Sequence, residues 1–245
     1  PWGRRTFLRL PFGISVASEI FHEKMMEIFG DLPGVCVFLD DLLIHAESQQ
    51  KHDERLKAVL DRARQEGVKF NKTKCKFSQH QVTYLGHIFN KNGISPDKNR
   101  IKAICNMPPP TSKTELQRFL GMINYLSSFI PNVGEETSVL RPLIKKDSQW
   151  EWEHQHRFAF ERLKSLITTT PVLAHFDVNA PIVLSVDSSQ SAVGACLLQH
   201  NKPVAFASKT LNECQKRYAQ IEKELYAVVF ACTRFRQYID GTNHS

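Results

Sequence analysis

The stretch that decides the fold is Gly34-Val35-Cys36-Val37-Phe38-Leu39-Asp40-Asp41-Leu42-Leu43-Ile44. Two short apolar runs flank a pair of acidic residues, and this pattern predicts a β-hairpin with an acidic tip. Two unpaired carboxylates at one turn repel each other, so a site that keeps Asp40 and Asp41 together usually holds a divalent cation. Successive strand residues point to opposite faces, so the tip must bend or a third carboxylate must join them. A solvated turn explains the pair more simply when the pair is taken alone, because Asp favours turns.

Apolar periodicity on both sides of this hairpin predicts the other elements. Helices are predicted over 48–67, from 95 onward, over 112–126, 150–167 and 215–238. The helix over 112–126 carries one apolar stripe, formed by Leu116, Phe119, Leu120, Ile123 and Leu126. Strands are predicted over 68–70, 76–77, 82–89, 181–187, 192–199 and 203–208. The predicted fold class is α+β.

Length and composition exclude several classes of protein. The chain has 245 residues, of which 42% are hydrophobic and 23% charged, so a disordered tail, a collagenous rod and a coiled coil are excluded. No apolar stretch reaches the roughly 20 residues that cross a bilayer, and no apolar signal core marks the chain for export. The six cysteines form no CxxC pair. We therefore expect reduced thiols and a cytoplasmic or nuclear, intracellular location.

The net charge of +7 is concentrated in one segment. Residues 51–105 contain thirteen Lys or Arg against five Asp or Glu. Lys72, Lys74 and Lys76 alternate, so in an extended segment all three would project from one face. Such a surface suits the phosphate backbone of a nucleic acid, although a merely solvated face is an equally good interpretation of the lysines alone.

A second set of acidic residues lies near the end of the chain. The strand predicted over 181–187 ends in Asp187, and the predicted helix over 215–238 carries Glu222 and Glu224. The apolar stripe assigned to the buried face of this helix consists of Ile221, Leu225, Val228, Val229 and Cys232. The two glutamates then lie on opposite shoulders of the stripe, so they cannot serve one site. Taken alone, Glu224 is more simply a surface acid.

Four motifs occur in a fixed order along the chain. They are Leu10-Pro11-Phe12-Gly13, Phe38-Leu39-Asp40-Asp41, Tyr84-Leu85-Gly86-His87 and Phe119-Leu120-Gly121-Met122-Ile123-Asn124-Tyr125. Together they resemble the palm and thumb of a reverse transcriptase from a long-terminal-repeat retrotransposon of the Ty3/gypsy class. Residues 177–239, with Asp187-Ser188-Ser189 and Glu222-Lys223-Glu224-Leu225, resemble the ribonuclease H domain that follows the polymerase in the same elements.

The resemblance implies roles for particular residues. Asp40 and Asp41 would bind the catalytic metals of nucleotidyl transfer, and Asp187 and Glu224 those of RNA cleavage, whereas Glu222 is expected to be a solvated acid. The other implied residues are Phe12 and Gly13 beside the incoming nucleotide and template, Tyr84, Leu85 and Gly86 as primer grip, and Lys72, Lys74 and Lys76 on primer–template phosphates. The implied cofactor is Mg²⁺ or Mn²⁺. The implied partners are an RNA template, a DNA primer, an RNA–DNA hybrid and deoxynucleoside triphosphates.

The resemblance also predicts the domain organisation. Residues 1–94 would form the palm, 95–170 a helical thumb and connection, and 171–245 a truncated ribonuclease H-like α/β domain. The family's other polymerase-site aspartate lies on a strand before the Leu-Pro-Phe-Gly segment and is not among these residues. The implied function is therefore that of a retrotransposon RNA-directed DNA polymerase with linked ribonuclease H, present as a fragment expected to be inactive alone. The alternative is a non-catalytic, host-encoded transposon remnant that binds nucleic acid.

Overall fold

The computed structural model describes residues 3, 7–11 and 13–240. The chain divides into two compact units, the first ending at Ser78 and the second beginning at Gln79. The described elements of the first unit are helix α1 (Ala17–Phe29), strands β1 (Val35–Phe38) and β2 (Asp41–Ile44), and helix α2 (Gln49–Gln65). No helix within the described residues is both long enough and apolar enough to cross a membrane.

Strands β1 and β2 form the predicted hairpin. They pair antiparallel, and Phe38 lies directly opposite Asp41. The loop between them therefore consists of Leu39 and Asp40, while Asp41 is the first residue of β2. Leu39 adopts a φ of 53°, a left-handed conformation that two-residue hairpin loops require but that a leucine rarely takes. The prediction of a hairpin with an acidic tip is confirmed.

The helices of this unit hold the hairpin from one side. Phe29 of α1 packs with Val59 and Ala63 of α2 in a buried cluster, against which the apolar side chains of β1 and β2 lie. Ser48 caps α2 by accepting a hydrogen bond from the Lys51 amide, as its position in the sequence suggests. Helix α2 agrees with the helix predicted over 48–67.

The segment after α2 differs from the prediction. The Asn71 carbonyl accepts hydrogen bonds from the amides of Lys74 and Cys75, and the Asn71 side chain accepts one from the Thr73 amide. These bonds form a turn, so the strands predicted over 68–70 and 76–77 are wrong. Asn supplies the backbone with a local alternative to a sheet, and here that alternative is used. The lysines thus do not alternate along a strand, although all three are exposed: Lys72, Lys74 and Lys76.

The second unit combines two three-stranded antiparallel sheets with a group of helices. The strands are β3 (Gln81–Tyr84), β4 (His87–Asn90) and β5 (Gly93–Pro96) in one sheet, and β6 (Val183–Ser188), β7 (Ala192–Gln199) and β8 (Lys202–Thr210) in the other. The helices are α3 (Lys98–Cys105), α4 (Lys113–Tyr125), α5 (Val133–Ser138), α6 (His154–Thr168), α7 (Glu213–Lys216), α8 (Gln220–Arg234) and α9 (Arg236–Ile239). Short 3₁₀ segments occur at Ser127–Phe129 and Arg141–Ile144.

The largest buried core of this unit is helical. Leu116, Phe119 and Ile123 of α4 are completely buried together with Phe160 and Leu163 of α6. The apolar stripe predicted for α4 is therefore the buried face. The polar residues of this helix recur with a clear 3.6-residue period on the opposite face, so only the apolar face can pack against the core.

Two local predictions in the first sheet are wrong. The strand predicted over 82–89 is two strands, because Leu85 and Gly86 both adopt positive φ and reverse the chain. The predicted helix from 95 begins later, since Pro96 ends β5 and Asp97 caps α3. The domain bounds at residues 94 and 170 stay predictions, although β3 to β5 belong to the second unit.

Helix α8 presents a different face to the sheet from the one predicted. Its buried residues are Lys223, Ala227 and Ala231. The predicted buried stripe is instead exposed, namely Ile221, Leu225, Val228, Val229 and Cys232. Small alanine side chains let α8 approach β7 closely, and the ring of Phe230 fills the space beside them. The prediction chose the face with the larger apolar side chains. The sheet instead packs against the alanine face, because small side chains allow a closer approach although they add little to an apolar stripe.

Candidate active sites

The first carboxylate pair lies at the end of the β1–β2 hairpin. Asp40 and Asp41 are both exposed, and neither side chain has a hydrogen bond or ion pair with any residue in the described ranges. The amide of Leu39 donates a hydrogen bond to Nδ1 of His22, over 3.1 Å. The His22 ring also lies beside Phe38, with the ring centroids 6.1 Å apart. The turn is therefore attached to helix α1, while its carboxylates stay free.

Sequence reasoning missed His22. It lies on the helix directly before the hairpin, and nothing in a single histidine on a helix indicates that it will accept a hydrogen bond from the amide of a turn residue 17 positions later. Its Nδ1 must be unprotonated to accept this bond, so the ring proton lies on Nε2 when the imidazole is neutral. The interaction satisfies an amide that a two-residue loop would otherwise leave to solvent.

The second pair begins with Asp187 on β6. Asp187 lies opposite Gly194 of β7, which in turn lies opposite Ser208 of β8, so these three positions share one face of the sheet. The Asp187 carboxylate accepts a hydrogen bond from the Ser188 amide, over 2.9 Å. Asn132 and Glu135 line a shallow cleft next to Asp187. Sequence reasoning missed both, since only tertiary packing brings them to the strand.

Helix α5 lies on this face because Gly134 permits it. The Gly134 amide donates to the Ser208 hydroxyl over 2.8 Å, and the Thr210 hydroxyl donates to the Gly134 carbonyl over 2.7 Å. A Cβ atom at position 134 would lie only 3.0 Å from the backbone of Lys209. Such a contact is tighter than nine in ten real Cβ contacts, so a side chain here would require α5 and the β8 backbone to move apart by a few tenths of an ångström.

Glu224 approaches the same end of β6 from helix α8. Nε2 of Gln220 lies 3.0 Å from the Ser188 hydroxyl and 3.5 Å from a carboxylate oxygen of Glu224. The structure therefore connects the residue after Asp187 with Glu224 through one side chain. Asp187 itself points to the α5 face, because neighbours along a strand alternate and Ser188 faces α8. Since β6 is an edge strand, the two acids lie on either side of that edge.

Glu222 has a role that was not predicted. Its carboxylate accepts a hydrogen bond from the Ala219 amide over 2.7 Å and so caps the start of α8. It is exposed, as expected of a solvated acid. The prediction that Glu222 and Glu224 serve different purposes agrees with this geometry.

Both pairs fit a divalent cation in chemistry, but each is only a partial ligand set. Carboxylate oxygens are the ligands that Mg²⁺ and Mn²⁺ prefer, and Asp40 and Asp41 are held by no competing donor among the described residues. Within the same residues, no group of three or more His, Cys, Asp or Glu is arranged to hold a metal. Further ligands would have to come from water, substrate phosphates or other protein segments.

The remaining predicted site residues have varied positions. Phe12 lies outside the described residues, and its neighbour Gly13 is exposed with a φ of 85°. Leu85 and Gly86 form the β3–β4 turn directly after Tyr84. The hydroxyl of Tyr125, on α4, donates a hydrogen bond to the Leu85 carbonyl.

Two families of known proteins match separate parts of the chain. Residues 2–89 match the family described as reverse transcriptase (RNA-dependent DNA polymerase). Residues 152–245 match the family described as RNase H-like domain found in reverse transcriptase. The chain thus carries a reverse transcriptase region followed by an RNase H-like domain.

Individual relatives agree with this assignment. The chain is 33% identical over 249 aligned residues to the transposon Tf2-3 and Tf2-4 polyproteins of Schizosaccharomyces pombe, covering 99% of this chain. It spans only about a fifth of the length of these polyproteins, 19%. The chain belongs to the reverse transcriptase and ribonuclease H region of retrotransposon polyproteins, as its four motifs and residues 177–239 predicted.

Solved structures support the fold. A foamy viral protease-reverse transcriptase in complex with an RNA/DNA hybrid matches with a TM-score of 0.83 and 24% identity, over 94% of this chain and 32% of the viral one. The same viral protein in complex with double-stranded DNA matches with a TM-score of 0.82 and 24% identity, over 95% of this chain and 49% of the other. At this level of identity, the likeness establishes the α+β fold alone.

Proposed function

We propose that the chain contributes to RNA-directed DNA polymerisation and to hydrolysis of RNA in RNA–DNA hybrids. The observation that carries the proposal is the Asp40-Asp41 hairpin within a segment that matches the reverse transcriptase family, with both carboxylates exposed and unpaired among the described residues. Relatives of this chain are polyproteins, so the complete activities belong to the longer protein.

In the polymerase region, Asp40 and Asp41 hold a divalent cation, Mg²⁺ or Mn²⁺. Such a cation activates the attacking oxygen and stabilises the leaving oxygen in phosphoryl transfer. The bond between the Leu39 amide and His22 fixes the turn, and thus limits how far the two carboxylates can separate. Phe12 and Gly13 lie beside the nucleotide and template, and the Tyr84-Leu85-Gly86 turn contacts the primer.

In the RNase H-like region, Asp187 and Glu224 bind the cation that serves hydrolysis. The Ser188–Gln220–Glu224 contacts support this assignment, because they hold the start of α8 beside the end of β6. The exposed lysines of the turn after α2 contact nucleic-acid phosphates: Lys72, Lys74 and Lys76. The partners of the longer protein are an RNA template, a DNA primer, an RNA–DNA hybrid and deoxynucleoside triphosphates. The location is intracellular, cytoplasmic or nuclear, which the six free thiols support.

The test is extension of a DNA primer on an RNA template with Mg²⁺, by the longer protein that carries this chain. We expect extension by the wild type and none above background by Asp40→Asn. Binding of primer–template without extension by the wild type would instead favour a non-catalytic transposon remnant. Normal extension by Asp40→Asn would refute the metal assignment while leaving the family intact.

A further inference from the structure

The turn between β3 and β4 is packed against two side chains that no predicted role explains. Its residues Leu85 and Gly86 have φ values of 49° and 71°. A Cβ atom on Gly86 would lie 2.6 Å from the Tyr125 hydroxyl and 3.0 Å from the guanidinium of Arg100. The Gly86 carbonyl accepts a hydrogen bond from the Asp97 amide over 3.3 Å. The turn therefore touches the start of α3 and the end of α4 without room for a side chain.

Arg100, Tyr125 and His87 form a stack beside this turn. The Arg100 guanidinium carbon lies 4.2 Å from the centroid of the Tyr125 ring. The Tyr125 and His87 rings are nearly parallel, with 5.1 Å between centroids and 10° between planes. The Phe129 ring also packs against His87, with the ring centroids 5.1 Å apart. Tyr125 is fixed at its other end by the hydrogen bond to Leu85.

The charge of Arg100 is not neutralised by its neighbours. Several arginines of the chain form ion pairs, as Arg62 does with Asp31 and Arg162 with Glu136. Arg100 has no carboxylate within ion-pair distance among the described residues, and its side chain is exposed. Burial lowers the pKa of His87, and the nearby charge of Arg100 lowers it further, so protonation of His87 is disfavoured beside Arg100.

We propose that Arg100 binds a phosphate of the nucleic-acid backbone beside the Leu85–Gly86 turn, and that Tyr125 is the residue that positions it. The Arg100 guanidinium lies over the Tyr125 ring and forms no ion pair among the described residues, so its N–H donors are available to a phosphate, which can accept two of them. The ring reduces the conformational freedom that a solvated arginine would lose on binding. This inference rests on the proposed function, since it takes the ligand to be a nucleic acid.

The experiment measures binding of the 245-residue chain to a fluorescently labelled RNA–DNA hybrid at several salt concentrations. We expect Arg100→Gln to weaken binding. The plot of the logarithm of the association constant against the logarithm of the salt concentration should become less steep by about 0.9, which corresponds to the loss of one phosphate contact. Arg157→Gln is the matched control, because Arg157 is an exposed arginine on α6 remote in sequence from the stack. It should leave the slope unchanged.

Three further variants separate charge from positioning. Arg100→Lys keeps the charge and should retain the slope, with weaker binding. Tyr125→Leu removes the ring platform and should weaken binding without changing the slope. Tyr125→Phe keeps the platform and should bind hybrid more tightly than Tyr125→Leu. Circular dichroism checks that each variant is folded. If Arg100→Gln is not folded, the affinity of Arg100→Lys for the hybrid tests the proposal in its place.

The outcomes distinguish this inference from the function on which it rests. If the wild type binds the hybrid and Arg100→Gln retains the wild-type slope, the phosphate site is refuted while nucleic-acid binding stands. If Arg100→Lys binds as well as the wild type, the stacked geometry is irrelevant and the role of Tyr125 is refuted. If the wild type does not bind the hybrid at all, both the inference and the nucleic-acid function of this chain are overturned.

Discussion

The two carboxylate pairs of this chain are built in opposite ways. Asp40 and Asp41 are adjacent in sequence and share one two-stranded hairpin, so their proximity follows from the turn itself. Asp187 and Glu224 come from a strand and a helix on either side of the β6 edge, and their relative positions depend on how α8 packs against the sheet. The first pair should therefore respond to changes in its turn, whereas the second should respond to changes in packing at a distance.

The largest effect is expected from removing one carboxylate of the local pair. Asp40→Asn should reduce primer extension by the longer protein about a thousandfold, because a missing ligand removes several kcal/mol of metal-assisted stabilisation. Folding should be unaffected, since the side chain is exposed. Hydrolysis of the hybrid should continue. Asp147→Asn, at another exposed position, is the control, and equal losses in both variants would contradict the assignment.

The second pair is tested by two glutamates that lie two residues apart. Glu224→Gln should reduce cleavage of a labelled hybrid about a hundredfold, since one charged ligand is lost. Glu222→Gln should cleave nearly as well as the wild type, because an amide oxygen can still accept the Ala219 amide. Gel analysis of the cleaved RNA measures both. The assignment fails if the Glu222 variant is the more impaired.

A distant change should affect only the assembled pair. Gly134→Ala places a methyl group 3.0 Å from the Lys209 backbone, and such overpacking typically costs about 1–3 kcal/mol. We expect lower stability in urea, and hybrid cleavage that falls more than primer extension, because α5 contacts the face that carries Asp187. Gly121→Ala is the matched control, because a Cβ there has no atom within 4 Å. Equal effects of the two variants would show that the packing of α5 against β8 does not influence hybrid cleavage.

The smallest effect concerns the turn of the local pair. His22→Leu removes the acceptor of the Leu39 amide and should cost about 1 kcal/mol, the usual worth of one hydrogen bond. Primer extension should fall modestly while hybrid cleavage is unchanged. His52→Leu, at a partly exposed histidine of α2, is the control, and it should leave primer extension unchanged. If His22→Leu extended primers as well as the wild type, the hydrogen bond from the Leu39 amide to His22 would not be needed to keep Asp40 and Asp41 in position.

The sequence predicted what local periodicity and turn chemistry determine. The hairpin at 34–44, helix α2 and the buried stripe of α4 all follow from patterns within a few residues, and all are confirmed. The face of α8 was wrong, because the choice between an alanine face and a valine face depends on how closely the sheet approaches. His22, Asn132 and Glu135 could not be predicted, since each reaches its site through tertiary contacts alone.

The central claim is that this chain contains two separate half-sites for a divalent cation. The most direct measurement is line broadening by Mn²⁺ in the amide NMR spectrum of the 245-residue chain, since broadening falls off steeply with distance from the bound ion. We expect two groups of broadened amides, one around residues 39–41 and one around 187–189 and 220–224, with Asp40→Asn abolishing only the first. Broadening that is uniform, or centred elsewhere, or lost from both groups in that single variant, would contradict it.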